Sequence, residues 1–357
     1  MLAFGILRTL VGAWYIGVES SSANRLVTRN KISLVYMLPL AYKNRILQVN
    51  GVSGLGFGIW YGGVYQDKKN FFPQFAISGL DYLNLYPEFL LPEAQKKAFE
   101  TDRNSAIVGR STAERFGWKI GDVIPIQGTI YPGVIELTLR GVYKGAQQNT
   151  DETALFFHYD YLNEKLKKNS PDRADKAGWF LVRIKDAGEA PRISEEIDAV
   201  FNNSLAETLT ETEKAFQMGF VAMTETILTV VKVISLVVIG IILIVLANTM
   251  SMTARERSSE YAVLKTLGFG PQFIFCLICG ESLVLALTGG LIGAILSFPG
   301  GMFFQAELKS FLPVFDITRG TILLIMLVSF IVGFFAAVPP AIRACRISIS
   351  EGMRHVG

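Results

Sequence analysis

The sequence predicts a multi-pass α-helical membrane protein carrying an α+β extracytoplasmic domain, with three complete transmembrane helices and a first one cut short. Three observations predict it. Half of the 357 residues are hydrophobic and only 18% are charged, against about 25% in a soluble globular chain; the mean hydropathy is +0.36. The charges are segregated: Glu19 to Phe220 holds 24 basic and 24 acidic residues, and the rest of the chain only 10 and 7. That remainder contains three long apolar runs, Ile227 to Met250, Phe273 to Phe298 and Thr321 to Val338, interrupted only by Lys232 and Glu281. Each reaches or approaches the ~20 residues a helix needs to cross the hydrocarbon core. The formal charge of +3 is too small for a nucleic-acid footprint, so no nucleic-acid partner is expected.

Taken in order, Met1 to Val18 is mostly apolar but short, with Arg8 in its middle and no basic region ahead of it. It reads as residues 1–18 of a first transmembrane helix whose beginning is missing rather than as a signal peptide. The extracytoplasmic domain is expected over 19–193. Leu26 to Tyr36 has strand composition, β-branched residues interleaved with polar ones. Tyr42 to Val49 suits a short helix stopped by Asn50-Gly51. Gly51 to Gly63 is a turn-rich strand region. The segment Asn104 to Gly145 alternates clearly: strand Ala106 to Gly109, helix Ser111 to Trp118, turn at Lys119 to Asp122, strand Val123 to Ile126, then strand Val134 to Tyr143. Residues 194–226 read as a polar amphipathic helix running with few breakers into the first apolar span. Such a stalk would link the outer domain mechanically to the membrane.

The membrane region is expected over 227–357, with spans at 227–250, 273–298 and 321–338. The connector 251–270 carries Arg255, Arg257 and Lys265, and the tail 341–357 carries Arg343, Arg346 and Arg354. The loop 300–320 has only Lys309 and Arg319, offset by Glu307 and Asp316. Basic residues in short loops mark the cytoplasmic side, so the connector and tail face inward and the large block outward. The chain is thus placed in the cell (inner) membrane with residues 19–220 extracytoplasmic. All three cysteines lie outside that block, so no disulfide holds it. Cys276 and Cys279 have C-x-x-C spacing, yet in an apolar helix without other ligands they read as packing.

Chemistry-bearing constellations are scarce. His158 is the only histidine of the outer block, too little for a zinc site. Gly51 to Gly63 lacks G-x-G-x-x-G opening a helix, and no G-x-x-x-x-G-K-[ST] occurs anywhere. No catalytic residue, metal ligand or cofactor-binding residue is assigned, and no cofactor is expected. Lys232, near the outer end of its span, reads as snorkelling to the interface. Glu281, about eight residues into its span, needs a polar partner, with a contact across a dimer one way to supply it. Gly289 and Gly293, four apart, suit close helix packing within a subunit or between subunits.

The most specific residues are Asn248 to Phe269, NTMSMTARERSSEYAVLKTLGF. Ala254, Tyr261 and Leu264 can share one face of a short helix, with Arg255, Glu256 and Arg257 around the other. Gly268 is placed to end that helix and Pro271 to begin the next. This run resembles the signature of the FtsX/MacB-type permease family of ABC transporters, matching it at Arg255, Glu256, Arg257, Glu260, Val263, Leu264, Lys265, Leu267 and Gly268. Glu281-Ser282, Gly289-Gly290-x-x-Gly293, Pro339-Pro340 and the basic tail continue the likeness. Ile107-Val-Gly and Ala113 to Asp122 are similar to the family's periplasmic core domain.

The resemblance implies a mechanical transmitter without a P-loop of its own, and so not itself an enzyme. A separate ABC ATPase would dock on the connector, through Arg255, Glu256, Arg257, Glu260, Tyr261, Leu264 and Lys265. Two copies, or this chain and a related permease, would pair, and an extracytoplasmic adaptor or substrate protein could join them. ATP hydrolysis would then move the outer domain to export or extract an amphiphile such as a lipid, lipoprotein, peptide or drug. The alternative is a transmitter that regulates an outer partner such as a cell-wall hydrolase. Lys232 and Glu281 are too few polar groups to line a hydrophilic path through the spans.

Overall fold

The computed structural model describes residues 1–19, 21–147, 150–223, 225–308 and 317–347. Lys309, Asp316 and Arg354, with the rest of the expected tail from 348 on, lie outside them. The chain divides into two compact units: residues 15–223 with 308–314, and residues 1–14 with 224–307 and 315–357.

Helix α1 (Leu2–Glu19) leads into the outer unit. There the chain forms β1 (Arg25–Asn30), β2 (Leu38–Pro39), α2 (Tyr42–Leu47), β3 (Val52–Trp60), β4 (Gly63–Val64), β5 (Gln74–Ile77), α3 (Leu80–Leu83) and β6 (Phe89–Leu90). It continues through α4 (Glu93–Thr101), β7 (Ser105–Gly109), α5 (Arg110–Phe116), β8 (Val123–Gly128), β9 (Gly133–Gly145), β10 (Leu155–His158) and α6 (Tyr159–Asn169). Last come β11 (Lys176–Ala177), β12 (Trp179–Ile184), α7 (Ala190–Val200), β13 (Thr208–Thr212) and α8 (Glu213–Met223). Among the described residues one mixed sheet has the order β13-β1-β12-β3-β5-β10-β7-β9-β8-β4, with β6 on β9. Only β10–β5 and β7–β9 are parallel.

Both faces of this sheet are covered, so its strands carry apolar residues in consecutive positions. Leu26, Phe157 and Phe180 point into one core with Leu162 and Leu166 of α6 and Ile193 and Ile197 of α7. Their neighbours Val27, Phe156 and Leu181 point into the other, with Tyr82 of α3 and Phe99 of α4. The period of two that sorts neighbours between faces is the pleat itself. His158 is part of this packing: it stacks on Phe99 at 4.1 Å, and its Nε2 lies 2.7 Å from the Phe99 carbonyl.

The α2, β3, β7, α5, β8 and β9 expectations form at the expected places. The strand expected over Leu26 to Tyr36 ends at Asn30, where Asn30 Oδ1 accepts from Ile32 N and turns the chain. The continuous stalk helix over 194–226 does not form. Helix α7 stops at Val200, Asn203 takes a left-handed φ of 58°, and Thr208–Thr212 pairs antiparallel with β1. Asn202-Asn203-Ser204 is a turn signal, and the alternating threonines of β13 favour a strand once a partner edge is available. The sheet therefore reaches past residue 193, and the helix leading out of the domain begins only at Glu213.

In the second unit run α9 (Glu225–Glu256), α10 (Ser258–Thr266), α11 (Pro271–Leu308) and α12 (Arg319–Arg346). Three of them, α9, α11 and α12, are long and apolar enough to cross a membrane. The first half of α1 joins them: Phe4 is buried with Ala294 and Ile325. Helix α9 packs along α12, yet from Val233 to Thr249 only Ser235 is buried, the rest being exposed or half-buried.

Candidate functional site

The connector after α9 is a built structure. Helix α10 ends as the sequence anticipates: Gly268 adopts φ 93°, its N–H and that of Phe269 return to the carbonyls of Lys265 and Leu264, and Pro271 opens α11. Tyr261 is 2% exposed and joins Met250, Ala254, Ile274, Ile278, Ala337, Ala341 and Ala344 in one core, with Leu264 packed against it. The expected face of Ala254, Tyr261 and Leu264 therefore exists, and it is turned inward.

Two of the expected docking cations are used inside the unit. Arg257 Nη1 donates to both carboxylate oxygens of Glu281 at 3.0 and 3.2 Å, while its Nε donates to Glu260 at 2.8 Å. The partner that Glu281 requires is thus in the same chain, with no dimer contact needed to supply it. Arg257 stands between α9 and α10, one residue past the end of α9. Lys265 Nζ donates to the carbonyls of Ala344, Cys345 and Ile347 at 3.2, 3.1 and 2.6 Å. A cation on the last orphan carbonyls of α12 satisfies them and the negative end of its dipole. Cys345 Sγ donates to the Pro271 carbonyl at 3.1 Å, a further tie between α12 and the start of α11 that sequence reading misses.

What the end of α9 and α10 leave outward is different. Arg255, Glu256 and Glu260 are exposed, and Arg255 makes no ion pair among the described residues. Val263, Leu267, Phe269 and Phe273 are 48%, 70%, 42% and 45% exposed. Leu267 and Phe269 flank the Gly268 turn, so this apolar tip is set by the helix end. Lys232 is exposed on α9 with no partner among the described residues.

Of the two expected packing glycines Gly293 is used, against α1, while α11 meets α12 one residue along from Gly289, at Gly290. Ser282, Ala286 and Gly290 lie four apart on α11 and meet Ser329 and Gly333, four apart on α12, as small residues do where two helices approach closely. Ser282 Oγ donates to the Gly333 carbonyl at 2.8 Å. A Cβ on Gly290 would collide with Ser329 Oγ, and one on Gly333 would stand 2.6 Å from Ala286 Cβ. Gly293 takes α1 instead: a Cβ there would lie 2.9 Å from that of Met1. Gly289 opens on nothing within 4 Å. Gly290→Leu is therefore expected to cost about 1–3 kcal/mol of overpacking. Gly289→Leu should be neutral or slightly stabilising through helix propensity. Unfolding in detergent compares the two, and equal losses would refute the assignment.

Among the described residues no group of His, Cys, Asp or Glu is placed to hold a metal. Comparison with known proteins accounts for the architecture. Residues 14–200 match the MacB-like periplasmic core domain and residues 232–349 the FtsX-like permease C-terminal domain; neither match is an ATPase domain. An uncharacterised ABC transporter permease of Methanocaldococcus jannaschii is 26% identical over 265 residues, covering 70% of this chain and 62% of that one. One of Mycobacterium tuberculosis is 25% identical over 276 residues, 73% of this chain and 30% of that protein. The macrolide export ATP-binding/permease protein MacB of Bdellovibrio bacteriovorus is 24% identical over 265 residues, covering 70% and 38%. This chain thus spans under two thirds of each relative's length. The periplasmic region of MacB from Actinobacillus actinomycetemcomitans overlays with a TM-score of 0.40 at 9% identity, covering 57% of this chain and 95% of that one. With a periplasmic core domain, membrane-spanning helices and both family domains in sequence, the chain belongs to the FtsX/MacB-type permeases of ABC transporters.

Proposed function

We propose that this permease couples ATP hydrolysis by a separate ATPase subunit to motion of its periplasmic domain, exporting or extracting an amphiphilic substrate. The observation that carries the reading is the pair of ties on α10. Because Arg257 holds α11 through Glu281 and Lys265 holds the end of α12, a force on α10 is delivered to both helices rather than lost in a loose loop. The exposed Val263, Leu267, Phe269 and Phe273, together with the exposed charges of Arg255 and Glu256 at the end of α9, supply apolar and charged groups for an ATPase groove. Two permease copies would pair across the membrane. The bare α9 surface and Gly289 are available to that contact.

Because Arg257 and Lys265 serve the fold, docking is tested at Arg255 and Leu267. In a mild-detergent extract, Arg255→Glu with Leu267→Asp should release a co-purifying P-loop ATPase. Stability should stay within about 0.5 kcal/mol of wild type, as for exposed sites. An ATPase that stays bound would remove the connector from the interface.

A further inference from the structure

The outer unit contains a cavity of about 570 Å³ between the sheet and the start of α8. Ten of its twenty-two lining residues are aromatic, among them Trp60, Phe75, Tyr86 and Trp179. Ten of the twenty-two are buried, Val27, Tyr143, Phe156 and Leu181 each under 5% exposed, while Val35 and Ile130 are 83% and 41% exposed. The space is open on one side, and its volume suits a drug-sized molecule.

Its polarity is one-sided. No Lys, Arg or His lines it; the charged residues in the wall are Asp151 and Glu213, joined by the amide of Gln217. Glu213 is already engaged by Arg25 Nε and the Ser22 N–H. Asp151 Oδ1 accepts only from Thr153, through its N–H at 2.8 Å and its hydroxyl at 2.6 Å. Burial pushes the Asp151 carboxyl above its ordinary value, against those two bonds. Gln217 Oε1 is buried without any hydrogen-bond partner among the described residues. An orphaned acceptor and a carboxylate without a cation, set among aromatic faces of negative potential, ask for positive charge. No cationic side chain among the lining residues would hold the headgroup of a fatty acid or anionic lipid, and Arg25, behind Glu213 and Tyr86, is already held by the carboxylates of Glu213 and Glu88.

We propose that this cavity binds a lipophilic organic cation, its apolar body against the aromatic wall and its charge toward Asp151 and Gln217 Oε1. The site deepens the transport reading by naming a substrate class, and it rests on that reading for its consequence. Binding needs neither ATPase nor nucleotide, so its failure and a failure of ATPase docking are separable results.

The test uses the full chain in phosphatidylcholine nanodiscs, equilibrium dialysis against labelled tetraphenylphosphonium, and subtraction of empty discs. A saturable site is expected, weakened about tenfold by Asp151→Asn, as for loss of ~1.4 kcal/mol of attraction. Tetraphenylborate, an anion of the same shape measured separately, should show no saturable site. The wild-type comparison of the two ions stands even if the variant misfolds. No saturable phosphonium binding, equal binding of both ions, or a folded Asp151→Asn protein that binds as tightly as wild type would each overturn the proposal.

Discussion

Reversing Arg257 to Glu is expected to uncouple the connector from the membrane helices and to destabilise the bundle by about 1–2 kcal/mol. Arg257 and Glu281 are 39% and 34% exposed, so the pair lies between the surface regime of under 1 kcal/mol and the buried regime of 3–5. The substitution does more than remove a bond. It would place three carboxylates, at 257, 260 and 281, where Glu260 and Glu281 now share one guanidinium. The double variant Arg257→Glu with Glu281→Arg should recover most of the loss. A double-mutant cycle read by thermal unfolding in detergent isolates the pair term, and a coupling energy below about 0.5 kcal/mol would mean that the contact carries nothing. The functional readout is separate. ATPase should still co-purify with Arg257→Glu, since Arg255, Leu267 and Phe269 are untouched, while nucleotide-dependent changes in cross-linking of the periplasmic domain should fall away.

The same geometry shows what a sequence can and cannot disclose. The spans were legible because hydrophobicity is local and additive: Ile227 to Met250 declares itself without knowledge of any partner. The end of α10 was legible for a similar reason, since Gly268 and Pro271 act through their own backbone. Arg257 and Lys265 look like any docking cations of a polar connector, because their roles depend on partners far along the chain, Glu281 and the carbonyls of 344–347. Strand β13 was hidden by the same non-locality. Thr208–Thr212 becomes a strand on meeting β1, some 180 residues earlier. Of the glycine pair, Gly293 packs closely on α1, while the α11–α12 contact falls on Gly290, one residue from Gly289, which on a helix is a turn of about 100°. Gly289 and Gly290 are equivalent in composition and face different neighbours. The cavity and the outer ion cluster left no local trace, as both are assembled from elements spread over the whole outer block.

The last expected result concerns that ion cluster. Arg25 is 4% exposed at the start of β1. Its Nε donates to Glu213 Oε2 at 2.7 Å, its Nη2 to Glu88 Oε1 at 2.5 Å, and its Nη1 to the Leu85 carbonyl at 3.0 Å. Its guanidinium also lies 4.3 Å from the centre of the Tyr86 ring. Glu213 is the first residue of α8 and takes the Ser22 N–H as well. One guanidinium therefore joins the strand by which the chain enters the domain to the helix by which it leaves. Arg25→Ala should cost the outer domain about 3–5 kcal/mol, because Glu213 would be left buried with its main counter-charge gone. Arg25→Lys should recover little, since a point ammonium cannot serve three acceptors in fork geometry. Denaturant unfolding followed by tryptophan fluorescence measures both, and an Arg25→Ala loss under 1 kcal/mol would refute the role. The combination Arg25→Met, Glu213→Gln and Glu88→Gln separates stability from transmission. Replacing a buried ion cluster with neutral groups can leave the fold as stable as before. If that triple variant is stable but its periplasmic domain no longer answers nucleotide, the cluster is kept for the direction of force between β1 and α8. If it is stable and still answers, the cluster serves the fold alone, and force leaves the domain by another route.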